Sequence, residues 1–264
     1  CIRDRLCLFL LGGLALGHDM WLETENFVID QAGQEVVFRN GNGTIYRGSE
    51  NAVTLDRIAS LTAIDPTGSR LDLPTPTVEE PWLKLRFTPQ LEGNYWIGLA
   101  TRPNKIRLTG AEFSEYLEHD GIPNILEERR RKGISERDEV EQYSKYVKAY
   151  LQVGGTRSTN YDSPVGLEIE IIPVTHPYGL KPGESLPVQV LFRGRPLSGL
   201  TLHAGHDGQS GAVSQAETDR DGKAEIEISR PGRWYIRGIH LRQVDRENHS
   251  YESYWATLTF QVSR

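Results

Sequence analysis

At ALGHDMW, residues 15–21, an apolar stretch gives way to a histidine, an aspartate and a tryptophan. A histidine at position 18 acquires particular chemistry if the chain is cut just before it. Its freed α-amine and its imidazole can then close on one divalent metal, and a further imidazole completes the three-nitrogen histidine brace suited to Cu(II) or Ni(II). The residues in front supply the reason to expect that cut. Arg3 and Arg5 form a basic head, Leu6 to Leu16 an apolar body, and Ala15-Leu16-Gly17 a small-x-small cleavage site. Residues 1–17 therefore read as a signal peptide, and the mature protein as periplasmic or secreted. The apolar body is too short for a permanent anchor, and no other stretch approaches about twenty apolar residues, so no membrane span is expected after cleavage.

The chain holds seven histidines. His240 is the leading partner for His18, because alternation along WYIRGIHLR puts Ile236, Gly238 and His240 on the face of Trp234. Core packing is the competing explanation of His240. His203 and His206, in LHAGHDG, have a spacing that fits one turn or a strand running into a loop, and an ordinary polar turn is their alternative. His249 reads as a loop residue, His176 as extended chain before Pro177, and His119 as part of a helical stretch. Both cysteines, Cys1 and Cys7, fall in the signal, which leaves no disulfide, thiolate metal site or cysteine nucleophile. No G-x-S-x-G elbow, P-loop, H-E-x-x-H or C-x-x-C pattern occurs. DRDG at 219–222 lacks the later acid of a calcium loop and reads as a β-turn. A net charge of −6 argues against a nucleic-acid partner.

The elements that must position these groups are mainly strands. FVIDQAGQEVVFRNGNG, ASLTAIDPTGSRLDL and WLKLRFTPQLEGNYWIGLA are short β-rich runs broken by Gly, Pro, Asp and Asn. Between about 111 and 153 the chain is rich in Glu, Arg, Lys, Leu and Tyr. Tyr143, Tyr146, Val147, Tyr150 and Leu151 recur at helical spacing, which predicts a helical insertion with breaks at Gly121, Pro123 and Gly133. The texture then returns to β, and SYWATLTFQV closes the chain with alternating inward and outward residues. The expected architecture is mainly β, with two immunoglobulin-like sandwich domains. The first covers 18–165 and carries the insertion; the second covers 166–264.

The stretches GRPLSGLTLHA, TDRDGKAEIEI and PGRWYIRG resemble the transthyretin-like and carboxypeptidase-regulatory type of sandwich, a fold that performs no single chemistry. HDMWLE after the signal, FSEYLEHDGI before an Arg-rich helix, YSKYVKAYLQVG, and the tail IHLR followed by YESYWATLTFQV resemble an exported bacterial family of unknown function associated with nickel uptake. The resemblance covers nearly the whole mature chain. It implies a metal role for His240, and for Glu252 either as a ligand or as the group that orients one.

Three functions are compatible with these residues. One is an exported protein that binds Ni, Co, Cu or Zn through His18, with His240, Glu252, His203 and His206 as further candidates, and passes the metal to a membrane transporter. A second is a copper oxidoreductase built on a histidine brace. The third is a non-catalytic interaction module in which the histidines are incidental.

Overall fold

Runs of β-branched and aromatic residues cut by Gly, Pro, Asn and Asp favour extended chain joined by tight turns. The computed structural model describes residues 18–207, 209 and 211–263, and the signal-peptide reading of 1–17, with Cys1 and Cys7, lies outside them. The described residues form a mainly β protein with several sheets and two α-helices. Its longer strands are β1 (Asp19–Thr24), β2 (Val36–Gly43), β3 (Ile58–Ile64), β4 (Trp82–Phe87), β5 (Gly93–Thr101) and β6 (Asn104–Leu108). Helices α1 (Gly110–His119) and α2 (Pro123–Lys132) follow, then β7 (Glu139–Val153), β8 (Ile169–Pro173), β9 (Ser185–Phe192) and β10 (Thr201–His206). The chain continues through β11 (Ser214–Glu217), β12 (Lys223–Glu227), β13 (Gly232–Arg246) and β14 (His249–Val262).

One four-stranded sheet has the order β1-β2-β4 with Thr77–Glu79 at its edge. A ten-stranded sheet runs β11-β10-β13-β14-β7-β5-β3 and ends at Arg70–Leu71, with β6 and Val28–Ile29 also paired to β7. A second four-stranded sheet joins β8, β9, β12 and Arg195–Pro196. At the centre of the large sheet β7 and β14 run parallel, Lys145 opposite Trp255. This sheet takes strands from both sides of residue 165.

The expected helical insertion of 111–153 is corrected in its second half. α1 and α2 form where predicted, α1 under a Thr109–Glu112 capping box and α2 closed by Gly133 at φ 66°. Residues 139–153, however, are the strand β7. Tyr143, Tyr146, Val147, Tyr150 and Leu151 fit a helical period, but the chain from Ser144 to Val153 is buried without interruption, as a central strand covered on both faces must be. The alternation expected at the C-terminus is absent for the same reason: from Tyr251 to Phe260 every residue of β14 is buried.

Two layers cover the central strands. On one face α1 and α2 place Phe113, Leu117 and Leu126 against Ile239, Leu241, Tyr251 and Trp255. Arg129 of α2, 1% exposed, donates to Glu139 at the start of β7 and to the carbonyls of Ile134 and Arg137. On the other face Phe192 of β9 packs on His240 and Tyr254. The largest core cluster spans both halves of the chain, from Phe38 and Trp96 to Val188 and Phe260.

Candidate functional site

His18 stands at the start of β1, which pairs antiparallel with β2. Its Nε2 lies 3.2 Å from Glu50 Oε2, and its Nδ1 lies 3.5 Å from the Asn42 side-chain nitrogen. Asn42 donates to Asn51 Oδ1 at 2.9 Å and accepts from Lys145 Nζ at 3.0 Å, which settles which end of that amide is oxygen. Lys145 also donates to the backbone carbonyl of His18. Loss of hydration on burial brings the Lys145 pKa down to about 8; Asp19 works against that shift, and repulsion from Arg57 adds to it.

Behind this edge lies a layer of buried charge. Arg237 bridges Asp19 at 3.0 Å and Asp120 at 3.2 Å. Burial pushes the Asp120 carboxyl up against the pull of Arg237. Glu141, two residues before Tyr143 on β7, accepts from Ser253 and lies 3.5 Å from the Tyr116 hydroxyl. Burial raises its pKa to about 7, beyond what these hydrogen bonds recover.

The other expected ligands do not join His18. Lys145, which holds the His18 carbonyl, is opposite Trp255, and Trp255 is opposite Ile239. His18 therefore lies on the face of β13 that carries Arg237 and Ile239. His240 is one residue further along a strand, hence on the opposite face, where its ring packs 4.6 Å from Phe192 and 6.1 Å from Tyr254. Burial holds the His240 pKa down at about 4, with Arg242 and Arg193 adding to the effect. Glu252 shares the His240 face but is taken by Arg242 at 2.6 Å, Tyr254 at 2.9 Å and His249 at 3.3 Å.

His203 and His206 do not form a pair either. Both lie on β10, where a three-residue separation puts side chains on opposite faces. His203 sits beside Arg237 and its Nε2 lies against Gly121, whose φ is 70°; a Cβ there would come within 2.6 Å of that nitrogen. His206 packs on Trp234 with ring centroids 5.0 Å apart, and its Nδ1 is 2.8 Å from the Asp207 carbonyl. Among the described residues no three His, Cys, Asp or Glu side chains gather as a metal site. The donor set available to a metal at this edge is therefore His18 itself with Glu50 beside it.

Glu50, Asn42 and Lys145 carry no motif or spacing that marks them as site residues in the sequence. A family model described as "Domain of unknown function (DUF4198)" matches residues 15–242. No curated protein matches the chain. Among solved structures, a tetra-tandem repeat from the extending region of a large adhesion protein matches at 10% identity and a TM-score of 0.27, covering 92% of this chain and 49% of the other. The chain thus spans about half the length of that structure. The human OSCAR ligand-binding domain matches at 11% identity and a TM-score of 0.20, covering 90% and 97%. The D0-D1 domain of intimin matches at 10% identity and a TM-score of 0.22, covering 92% and 97%.

Proposed function

We propose that this chain, which belongs to the DUF4198 family, is an exported metal-binding protein whose site is created when cleavage after Gly17 makes His18 the first residue. The cargo is a divalent transition metal of the Ni, Co, Cu or Zn group, received in the periplasm or outside the cell and handed to a membrane transporter. No helix of the described residues is long and apolar enough to cross a membrane. The transthyretin-like reading of 166–264 belongs to the same proposal, as the scaffold on which β13 and β14 stand.

The observation that carries the proposal is the Glu50 carboxylate on His18 Nε2. A carboxylate there favours the tautomer with its proton on Nε2, so that Nδ1 carries the lone pair, which faces the Asn42 amide nitrogen at 3.5 Å and would have to leave that contact to bind a metal. Nδ1 and the α-amine of the same residue are the two atoms that close an N-terminal histidine chelate. Glu50 orients the ring. His240 and Glu252 have no part in it, since the sheet lies between them and His18.

The test compares three proteins by calorimetric titration with Cu(II) and Ni(II): one beginning at His18, one extended by a glycine before His18, and Glu50→Gln beginning at His18. The glycine extension should abolish the tight phase, and loss of the orienting carboxylate should weaken it about tenfold or more. Equal affinity with and without the extension refutes the proposal.

A further inference from the structure

A cavity of about 180 Å³ opens beside the Lys145 ammonium, bounded by Asn42, Asn51, Arg57, Thr101 and Tyr143 among others. Its lining contains two cations and no carboxylate, in a chain whose net charge is −6. Lys145 is only 8% exposed. Its nitrogen spends two donors on the His18 carbonyl and Asn42 Oδ1, which leaves one N–H. No carboxylate lies within 4.0 Å of Lys145 Nζ among the described residues, whereas Arg129 and Lys148, also buried, each have one. The Arg57 guanidinium and the Lys145 ammonium lie 5.7 Å and 5.8 Å from the centroid of the same Tyr143 ring. Two like charges converging on one open space repel each other, and an anion placed between them reverses the sign of that interaction.

We infer that this cavity is a binding site for a small organic carboxylate. The lysine N–H and the guanidinium supply charge-assisted hydrogen bonds. The Asn51 amide nitrogen, which has no acceptor among the described residues, supplies a neutral one. A monoanion suits the surroundings better than a phosphate dianion. Asp19 and Glu141 act on Lys145 from behind, and Glu80 reaches the Ala52 amide at 3.0 Å, so a second negative charge meets repulsion. The site needs no metal at His18: Lys145 grips the backbone carbonyl there, and the His18 side chain is not part of the cavity lining.

Acetate is the probe, observed by saturation-transfer NMR against the protein beginning at His18, at constant ionic strength held with chloride. Acetamide, of the same shape but neutral, is the control. Wild type should give saturable acetate binding and none with acetamide. Lys145→Met keeps the length of the side chain and should weaken acetate roughly tenfold or more, the weight of one charge-assisted contact. Arg57→Gln, on the partly exposed rim, should weaken it as well, and far-ultraviolet circular dichroism checks that both variants are folded. Acetate binding that does not saturate, that acetamide matches, or that either Lys145→Met or Arg57→Gln leaves unchanged overturns the inference.

Discussion

Glu141→Gln isolates the cost of the buried carboxylate beneath the site. The acid has an ordinary pKa of 4.5, and in the fold burial lifts it to about 7. A raised carboxyl pKa means that the folded state resists ionisation. The penalty is absent below about pH 4.5, grows as pH rises through the window between the two values, and is complete above about pH 7. A shift of that size corresponds to about 3 kcal/mol. Glutamine resembles the protonated acid in shape and can still accept from Ser253, so it removes the penalty and leaves the packing in place. Urea unfolding of wild type and variant should therefore agree near pH 4.5 and diverge by about 3 kcal/mol in favour of the variant at pH 8. Comparing the two proteins at each pH cancels the opposite trend from His203 and His240, whose neutral folded forms lose stability as pH falls. A constant difference at every pH would show that Glu141 ionises normally in the fold and would refute the account of the buried layer.

Further outcomes follow from the same geometry. Arg129→Met leaves Glu139 in the core with only Arg137 and Ser250 as partners and strips donors from three carbonyls, so urea unfolding should show a loss of about 3 kcal/mol or more. The His203 imidazole, held neutral by burial and by Arg237, should titrate near pH 4 in an NMR pH series; its contribution to stability is complete above its unfolded pKa near 6.5 and is lost as pH falls towards 4. His240→Ala should leave metal affinity of the mature protein unchanged while costing about 2 kcal/mol of stability through the lost contact with Phe192 and Tyr254, both read from the same calorimetric samples.

Much of the β architecture is legible because strand-forming runs and their Gly, Pro and Asn punctuation are local signals. α1 and α2 are legible through the breaks at Gly121, Pro123 and Gly133, although the Thr109 cap of α1 is visible only in the structure. β7 is not. Polar and charged residues such as Ser144, Lys145, Lys148 and Gln152 are buried in it alongside the apolar ones, so no period of two shows, because both of its faces meet protein. The site divides along the same line. His18 stands out in the sequence by its place after a small-x-small seam. Glu50, Asn42 and Lys145 meet it only through the β1–β2 pairing and the parallel β7–β14 pair, which join residues far apart in the chain. His240 looked like a partner because a strand face can be deduced from alternation. Which layer covers that face cannot, and here β1 lies on one side and β9 on the other.

The parallel pairing of β7 with β14 also fixes when the sheet can close. β14 lies between β7 and β13, so until Tyr251–Thr259 is available the strands from 139–153 and 232–246 each present an unpaired edge. Contacts between residues about a hundred positions apart are slow to form, because the loop must be closed before any pairing repays it. During that wait the open edges are templates for pairing with another chain. A chain whose 139–153 and 232–246 strands have formed before β14 joins them is therefore adhesive, and the sheet is protected from such pairing only once β14 is in place between them.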